Sequence, residues 1–396
     1  MNAFIAEAAR TPFGSYFGSL SQVRPDDLLA ATIKELVAKL PKLDPVDIDD
    51  VMMGDSNGAG EDNRNVARMA SLLAGLPESV PGVTINRLCG SGAEAIIQSS
   101  RAVKTGDAKY VIAGGVESMS RAPWIVPRDS KKKPESVSVD QLNQSTVGWR
   151  LTNPLFPSQW TASLGRCAEI VAERLNISRQ EQDEWALRSH QRAEKAWASG
   201  LHDGFVFPFA GLSRDESIRP ESNLEKLASL NSAFSETGAV TAGNSSPMND
   251  GAVSLLLTNE SGLSDLGIDG KNSGGYGKIL GTQITATKPD EFTLAPVYAI
   301  EKLLKKLNLD FKDIEIWEIN EAFAAMVLTV LHELPQIDRE RVNVNGGAIA
   351  MGHPVGGSAA RVVVDTTREL RRRGGGIGIA AACIGVGLGV AIAVEL

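Results

Sequence analysis

Cysteine and histidine are scarce in this sequence. There are only three cysteines and four histidines in 396 residues, and Cys89, Cys167 and Cys383 lie far apart. Three isolated cysteines cannot form a disulfide framework, and no pair has the Cys-x-x-Cys spacing of a metal site. The cysteine content therefore argues against a disulfide-rich secreted protein and is typical of a reducing compartment.

An excess of positive charge and long apolar runs are also absent. The formal net charge of −8 and the pI near 5.3 argue against nucleic acid or an anionic membrane surface as the main partner. Residues 1–14 show no basic region followed by a long apolar core, and no apolar stretch approaches the length of a membrane span. We expect a soluble, cytoplasmic protein.

The composition that remains is that of a globular α/β protein. Hydrophobic residues make up 43% of the chain and glycines number 39, which indicates a packed protein with many turns. A chain of this length is too long for one ordinary core, so we expect two or three domains. The first 121 residues alternate predicted strands (3–8, 51–54, 83–85, 110–114) with predicted helices that begin near residues 26, 63 and 93.

A cysteine stands between a predicted strand and a predicted helix. The β-favouring residues 83–85 run into Cys89, and a helical pattern covers residues 93–104. Unpaired backbone N–H groups and the positive end of the helix dipole favour a thiolate at this place. Gly90 and Gly92 allow a substrate to approach closely. Cys89 is thus either a nucleophile or a buried structural thiol beside a tight turn.

The second half of the chain repeats the plan of the first. LDPVDI at 43–48 matches LDFKDI at 309–314, an offset of 266 residues. A helix rich in leucine and lysine precedes each copy, and a strand follows it. The same offset from Cys89 ends two residues from His353, in a second glycine-rich turn between a strand and a helix. The shared order of elements predicts a duplicated fold.

A segment of different character, at about 123–241, separates the halves. It begins with polar, lysine-rich sequence at 129–138 and contains Trp149, Trp160, Trp185 and Trp197. One helix is well marked, with Ser178 as its N-cap, Glu181 three residues later and Gly200 at its end. We predict an insertion that packs over the active face and contributes substrate contacts.

Four side chains are candidates for chemistry. His353 is surrounded by glycines and a proline, Cys383 follows a buried strand (377–382), and Asn320 follows another (315–319). Together with Cys89 they form a possible set for covalent catalysis, with every member at a strand end. The remaining histidines and cysteine are interpreted as structural: His190, His202, His332 and Cys167.

These stretches together resemble the thiolase family. The matching blocks are INRLCGSG (85–92), GGVESMS (114–120), AGNSSPMNDGA (242–252), NEAFA (320–324), NVNGGAIAMGHPVGGSAAR (343–361) and CIGVG (383–387). ARTPFGSYFGSL (9–20) is similar to the family's opening, so the match runs nearly end to end. The resemblance implies an α/β fold in duplicated αβαβα layers with an inserted, largely helical loop domain. It places the N-terminal half at 1–121 plus 247–275, the loop domain at 122–246 and the C-terminal half at 276–396.

The resemblance also implies a reaction. A thiolase is an acyltransferase that cleaves a 3-oxoacyl-CoA with coenzyme A, or runs the reverse condensation. Cys89 would carry the acyl group, His353 would take the proton of Cys89 or of the CoA thiol, and Cys383 would exchange the α-proton of acetyl-CoA. One oxyanion would be held by His353 and a water on Asn320, and the other by the N–H groups of Cys89 and Gly385.

Coenzyme A is implied as a substrate, with no metal and no permanently bound cofactor. Ser246 aligns with a serine that contacts the pantetheine part, and Arg219 with a basic residue near the nucleotide. As a turn serine and a solvated surface arginine, both also have ordinary structural explanations. The family further implies a homodimer or homotetramer.

Two departures from the family pattern are notable. Gly385-Val386-Gly387 replaces three consecutive glycines, and valine resists a positive φ, so either Val386 is extended or the turn is altered. Ser163-Leu164-Gly165 stands where members specialised for acetoacetyl-CoA have His-Met-Gly or Met-Met-Gly. The second difference favours a degradative thiolase, as in fatty-acid β-oxidation, over a biosynthetic one that forms acetoacetyl-CoA.

Other classes of protein remain as alternatives. A ketoacyl synthase shares the duplicated fold and the cysteine nucleophile but would lack Cys383. A non-catalytic acyl-CoA-binding protein would be expected to have lost Cys89, His353 or Cys383, and all three are present. A structural zinc site made of these three residues has neither local ligand spacing nor an evident fourth ligand.

Overall fold

A computed structural model describes residues 1–127, 138–268 and 277–396. Its strands form one ten-stranded sheet in the order β4-β3-β5-β6-β1-β7-β10-β9-β8, with β2 paired to β6. The strands are β1 (Phe4–Arg10), β2 (Gly14–Ser15), β3 (Asp50–Gly54), β4 (Gly82–Ile85), β5 (Tyr110–Ser118), β6 (Asn249–Thr258), β7 (Gly277–Ala286), β8 (Ile314–Ile319), β9 (Ile377–Ile384) and β10 (Leu388–Glu395). The predicted polar stretch at 129–137 and the predicted domain boundary at 275/276 lie outside the described residues.

The two halves of the sheet repeat one pairing scheme. In the first half β5 runs parallel to β3 and antiparallel to β6, which is antiparallel to β1. In the second half β9 runs parallel to β8 and antiparallel to β10, which is antiparallel to β7. Short pairing between β1 and β7 joins the halves. This confirms the duplicated α/β architecture. β6, β7 and β10 were not predicted from the sequence. β6 is buried along its whole length, so its sequence shows no alternation of polar and apolar residues.

Helices cover both faces of each half and fill the space between them. The helices are α1 (Pro25–Ala38), α2 (Val66–Leu73), α3 (Ser91–Thr105), α4 (Leu164–Arg174), α5 (Arg179–Ala198), α6 (Leu224–Ala228), α7 (Glu260–Leu266), α8 (Ala295–Leu307), α9 (Ala324–Glu333), α10 (Ala348–Met351) and α11 (Val355–Arg373). α1 and α2 pack on the first half and α8 on the second, while α3 and α11 contact each other in the middle. The central apolar core combines residues of both halves with residues of α3 and α11. The layers therefore follow the order α, β, α, β, α.

The segment between the halves contains α4, α5 and α6, but most of its described residues lie in turns and loops, so it is less helical than predicted. α5 ties this segment to the second half. α5 begins with the expected capping box, because the N–H of Glu181 donates to the Ser178 hydroxyl and the N–H of Ser178 donates to the Glu181 carboxylate. Further along α5 the Trp185 indole donates to the Glu321 carboxylate at 2.9 Å. Cys167 of α4 is buried in the adjoining apolar core, as predicted. Within the described ranges, no helix combines the length and the apolar character needed to cross a membrane.

Candidate active site

The turn that carries Cys89 is tightly built. Leu88 has a φ of +49°, a left-handed conformation that is uncommon for a residue with a branched side chain. The Ser91 hydroxyl fixes the turn by donating to the Leu88 carbonyl at 2.7 Å. Cys89 is buried, and the backbone N–H of Gly385 donates to its sulfur. Gly90 packs against Ile384, and a side chain at position 90 would clash with it. The Cys89 turn therefore lies directly on the end of β9.

The free thiol of Cys89 is protonated at neutral pH. Burial raises its pKa to about 11, although the N–H groups of Gly385 and of Cys89 itself lower it. The expectation that the helix N-terminus would favour a thiolate is therefore wrong for the protein without substrate. Cys383 is also buried, and burial together with the neighbouring Cys89 raises its pKa well above the usual range. The effect of Cys89 on the pKa of Cys383 indicates that the two thiols are neighbours in the site.

His353 has one free ring nitrogen. Its Nδ1 lies 2.6 Å from the Ser358 hydroxyl, which donates its only proton to the Pro354 carbonyl. Nδ1 must therefore carry the ring proton and donate to Ser358, and Nε2 is left unprotonated. Nε2 is buried and has no hydrogen-bond partner among the residues that the structure describes. Burial, with a smaller contribution from Arg361, lowers the pKa of His353 to about 4, so the imidazole is neutral and can accept a proton.

Asn320 follows β8 at the same edge of the sheet. Its backbone N–H donates to the carbonyl of Ala381, two residues before Cys383, so the amide lies near the second thiol. Both polar atoms of its side chain are buried, and neither has a hydrogen-bond partner within 1–127, 138–268 or 277–396. Because an unpaired buried amide is costly, its retention points to a ligand or water that completes its hydrogen bonds. Glu321 anchors the segment by accepting from Trp185 and, at 2.6 Å, from Ser189.

The turn after Cys383 keeps a left-handed geometry despite its valine. Val386 has a φ of +60° and Gly387 a φ of +76°. A side chain at position 387 would clash with the Thr287 carbonyl, so this position requires glycine. Of the two alternatives, an extended Val386 is thus ruled out. Gly385 still directs its N–H at Cys89, and the strain lies one residue beyond this donor.

A small cavity opens at Cys89. It measures about 90 Å³ and is lined by Cys89, Leu88, Gly385 and Val355 from the two halves, and by residues 145–150 and Leu164 from the inserted segment. The insertion therefore packs over the active face, as predicted. The lining includes three residues with large or polar side chains, Trp149, Arg150 and Asn57. The sequence analysis missed them, because they lie in loops without periodicity or a chemical motif.

A buried carboxylate joins the loop after β3 to the start of α11. Glu117 of β5 accepts hydrogen bonds from the N–H and hydroxyl of Ser56 and, at 2.9 Å, from the N–H of Gly356 at the start of α11. Burial raises the pKa of Glu117 to about 7 and the pKa of neighbouring Asp55 to about 9. Glu117 lies in the GGVESMS block, to which the sequence analysis had assigned no residue role.

The two predicted CoA contacts lie apart from this cavity. Arg219 is exposed on the rim of a second cavity of about 170 Å³, beside Ser245 and Pro247. The Ser246 hydroxyl donates to the Ala322 carbonyl at 3.0 Å, just beyond Asn320. Across the described ranges, no group of three His, Cys, Asp or Glu side chains is arranged to hold a metal ion.

Comparison with known proteins identifies the family. A family model for the thiolase N-terminal domain matches residues 3–261, and one for the thiolase C-terminal domain matches residues 275–396. The 3-oxoadipyl-CoA/3-oxo-5,6-dehydrosuberyl-CoA thiolase of Escherichia coli K12 is 45% identical over 385 residues, which cover 94% of each chain. The β-ketoadipyl-CoA thiolase of Pseudomonas putida is 42% identical over 384 residues, again 94% of each chain.

Solved structures give the same result. The acetyl-CoA acetyltransferase of Bacillus anthracis matches with a TM-score of 0.89 and 36% identity over 100% of this chain and 98% of the other. Human mitochondrial 3-ketoacyl-CoA thiolase in complex with CoA matches with a TM-score of 0.90 and 35% identity over the same shares. The chain therefore has the thiolase fold and belongs to the thiolase family of acyltransferases.

Proposed function

We propose that the protein cleaves 3-oxoacyl-CoA esters with coenzyme A through an acyl thioester on Cys89. The observation that supports this best is the proximity of two buried thiols, Cys89 and Cys383, together with the free Nε2 of His353. His353 lies in the turn before α11, which packs against α3, the helix that follows Cys89. A base beside a nucleophile, with a second acid near the reacting carbon, is the minimum that carbon–carbon cleavage needs.

The first half of the reaction acylates the enzyme. Nε2 of His353 takes the proton of Cys89, and the sulfur attacks the 3-oxo carbon of the substrate. The N–H groups of Cys89 and Gly385 hold the oxyanion of the tetrahedral adduct. The bond between carbons 2 and 3 then breaks, and Cys383 gives its proton to carbon 2. Acetyl-CoA leaves, and the shortened acyl group stays on Cys89.

The second half returns the acyl group to CoA. The imidazolium of His353 gives its proton to the Cys383 sulfur and then, as a neutral base, accepts the proton of the incoming CoA thiol. The CoA sulfur attacks the thioester, Cys89 leaves as a thiolate, and it recovers the proton held by His353. The unpaired amide of Asn320 supports a bound water that, with His353, stabilises the enolate oxygen of acetyl-CoA.

Burial keeps all three groups neutral until substrate arrives. The raised pKa of Cys89 and the lowered pKa of His353 disfavour an ion pair in the empty site. Proton transfer from Cys89 to His353 therefore becomes favourable only as negative charge moves from the sulfur to the oxyanion, which N–H donors stabilise. This protects the thiol from unproductive reactions, because the thiolate is the reactive form.

We further propose 3-oxoadipyl-CoA as the first substrate to test. Several relatives at 40–45% identity are named for this ester, either as 3-oxoadipyl-CoA or by its synonym β-ketoadipyl-CoA. Its cleavage gives acetyl-CoA and succinyl-CoA, a degradative reaction on a dicarboxylic acyl chain. The relatives thus favour this direction, but with a substrate other than the fatty acyl chains of β-oxidation.

The remaining features of the proposal concern CoA and the cell. Coenzyme A binds as a substrate along the inserted domain (122–246), near Ser246 and Arg219, and no permanently bound cofactor is needed. The three free thiols suit a reducing cytoplasm. Two further predictions remain. The chain divides into an N-terminal half at 1–121 plus 247–275 and a C-terminal half at 276–396, and it assembles as a homodimer or homotetramer.

A substrate panel tests the proposal. Purified protein is mixed with CoA and 3-oxoadipyl-CoA, 3-oxohexanoyl-CoA or acetoacetyl-CoA, and the products are separated by chromatography. We expect CoA-dependent formation of acetyl-CoA, and no product from the Cys89→Ala variant. The absence of cleavage with every ester would contradict the proposed function, and unchanged activity of Cys89→Ala would exclude the nucleophile.

A further inference from the structure

We propose that Arg150 binds the terminal carboxylate of a dicarboxylic 3-oxoacyl-CoA and so selects this substrate class. The inference rests on the proposed function, since it places an acyl chain on Cys89. It concerns a residue of the inserted segment that lies outside every family motif noted in the sequence.

The guanidinium of Arg150 is held in place by neutral groups. Its Nη2 donates to Oδ1 of Asn57 at 3.0 Å, and its Nη1 donates to the Ser145 carbonyl at 3.3 Å. Asn57 is buried and is itself fixed, because its Nδ2 donates at 3.1 Å to both the carbonyl and the hydroxyl of Ser145. The orientation of the guanidinium is thus set before any ligand arrives.

Within the described parts of the chain, the positive charge of Arg150 has no counterion. Among the described residues, no carboxylate lies within ion-pair distance of Arg150, although most partly buried arginines of this chain pair with one. The two neutral acceptors orient the guanidinium group but do not neutralise its charge. An anionic ligand would supply the missing charge and the remaining hydrogen-bond acceptors.

The position of Arg150 suits the far end of a short acyl chain. Arg150 and Cys89 line the same small cavity of about 90 Å³. Its other walls are mainly apolar: Leu88, Leu164 and Trp149, whose ring lies 3.4 Å from the place of a Cβ atom at Gly385. The Trp149 indole is fixed by donation to the Ala162 carbonyl at 3.1 Å. A chain attached to the sulfur would therefore cross an apolar surface and end at a cation.

This arrangement matches a dicarboxylic acyl group of few carbons. In 3-oxoadipyl-CoA, two methylene groups separate the carbon that bonds to Cys89 from the terminal carboxylate. The methylenes would lie against the apolar wall, and the carboxylate would accept the paired N–H donors of Arg150. A neutral chain of the same length would bring a methyl group against the guanidinium and strip it of water without replacing the hydrogen bonds.

The test compares two esters that differ only at the chain end, 3-oxoadipyl-CoA and 3-oxohexanoyl-CoA. For the wild-type protein we expect the higher kcat/KM with 3-oxoadipyl-CoA. Arg150→Met should lower this value by about 100-fold or more, and should change kcat/KM for 3-oxohexanoyl-CoA by less than about threefold. Arg150→Lys keeps the positive charge but loses the paired N–H donors of the guanidinium. Its kcat/KM for 3-oxoadipyl-CoA should lie between the values of the wild-type protein and Arg150→Met.

A second variant avoids dependence on the folding of Arg150→Met. Asn57→Asp places a carboxylate where Oδ1 now accepts from Arg150, so it supplies an internal counterion that competes with the substrate. It should also reduce the preference for 3-oxoadipyl-CoA. As a matched control, Arg101→Met removes an exposed arginine of α3 far from the cavity lining, and the preference should stay unchanged.

Failure of the inference can be distinguished from failure of the proposed function. If the wild-type protein cleaves 3-oxohexanoyl-CoA or acetoacetyl-CoA but does not prefer 3-oxoadipyl-CoA, the role of Arg150 is wrong and the proposed function stands. The same holds if Arg150→Met loses activity equally with both esters, which would indicate a structural role. A protein that cleaves none of the three esters would contradict both.

Discussion

Gly92 of α3 and Gly356 of α11 touch backbone to backbone. A Cβ atom at position 92 would lie 2.8 Å from the Gly356 carbonyl oxygen and 3.0 Å from Ala360. Such separations are shorter than van der Waals contact permits, so both helices can begin side by side only because Gly92 has no side chain. The contact brings the turns before these helices together, and these turns carry Cys89 and His353.

The substitution Gly92→Ala tests the importance of this contact. The added methyl must push α11 away, and overpacking of this kind costs about 1–3 kcal/mol of stability. We expect a lower midpoint of thermal unfolding and, in the folded fraction, a loss of kcat larger than the loss of stability explains. Normal turnover by a stable Gly92→Ala protein would show that the spacing of the two helices does not matter.

Ser358 fixes the tautomer of His353, so its hydroxyl should affect the rate. Ser358→Ala removes the acceptor of the Nδ1 proton at 2.6 Å and allows the tautomer with the proton on Nε2. The loss of one such hydrogen bond, about 1–1.5 kcal/mol, corresponds to roughly a tenfold fall in kcat. Ser358→Thr keeps the hydroxyl and should retain most activity. Equal rates for Ser358→Ala and wild type would contradict the assigned tautomer.

The pH profile should lack the acid limb of an ordinary histidine. The base must be neutral, and burial lowers the pKa of His353 from 6.5 to about 4. As the pH falls, protonation of His353 should therefore reduce kcat/KM only when the pH approaches 4. The profile is measured with acetoacetyl-CoA and free enzyme at pH 4–8, with stability checked at each pH. A decline centred near pH 6.5 in a folded protein would show that His353 titrates normally.

Val386 should be a site where glycine stabilises the protein. Its φ of +60° costs an L-residue about 1–2 kcal/mol, and a β-branched side chain is least suited to it. Replacing Val386 by glycine removes this strain, but the larger chain entropy of glycine in the unfolded state offsets part of the stabilisation. We expect Val386→Gly to raise the free energy of unfolding by about 1 kcal/mol in urea titrations.

Gly387→Ala is the matched control for Val386→Gly. It introduces a side chain at a neighbouring left-handed position where the Thr287 carbonyl leaves no room, so it should destabilise the protein clearly. A destabilising Val386→Gly would mean that valine contributes packing that exceeds the backbone strain, although its side chain is 38% exposed.

Much of the architecture can be predicted because it depends on local patterns. The capping box at Ser178, the strand-to-helix turn at Cys89 and the repeat at 266 residues all have short, readable signatures. The repeat also places His353 in the turn that corresponds to the Cys89 turn, and the helices that follow these two turns, α11 and α3, pack against each other. These features follow from turn chemistry and periodicity, which the sequence carries directly.

The parts that could not be predicted depend on burial and on distant segments. The helix N-terminus argued for a thiolate at Cys89, but the depth of burial, which raises its pKa, is set by both halves and the insertion. Arg150 lies in an irregular loop, and the neutral groups that surround its guanidinium, Asn57 and Ser145, come from other parts of the sequence or carry no motif. The left-handed Leu88 has no signature either, since leucine rarely adopts that conformation.

The most direct test of the account is to trap the acyl group on Cys89. The Cys383→Ala variant is incubated with acetyl-CoA, digested, and analysed by peptide mass spectrometry, with Cys89→Ala as the control. We expect the mass of one acetyl group on the peptide that contains Cys89, none on the Cys167 peptide, and no turnover of 3-oxoacyl-CoA by this variant. An unmodified Cys89, or an acetyl group on another residue, would contradict the proposed division of work between the two thiols.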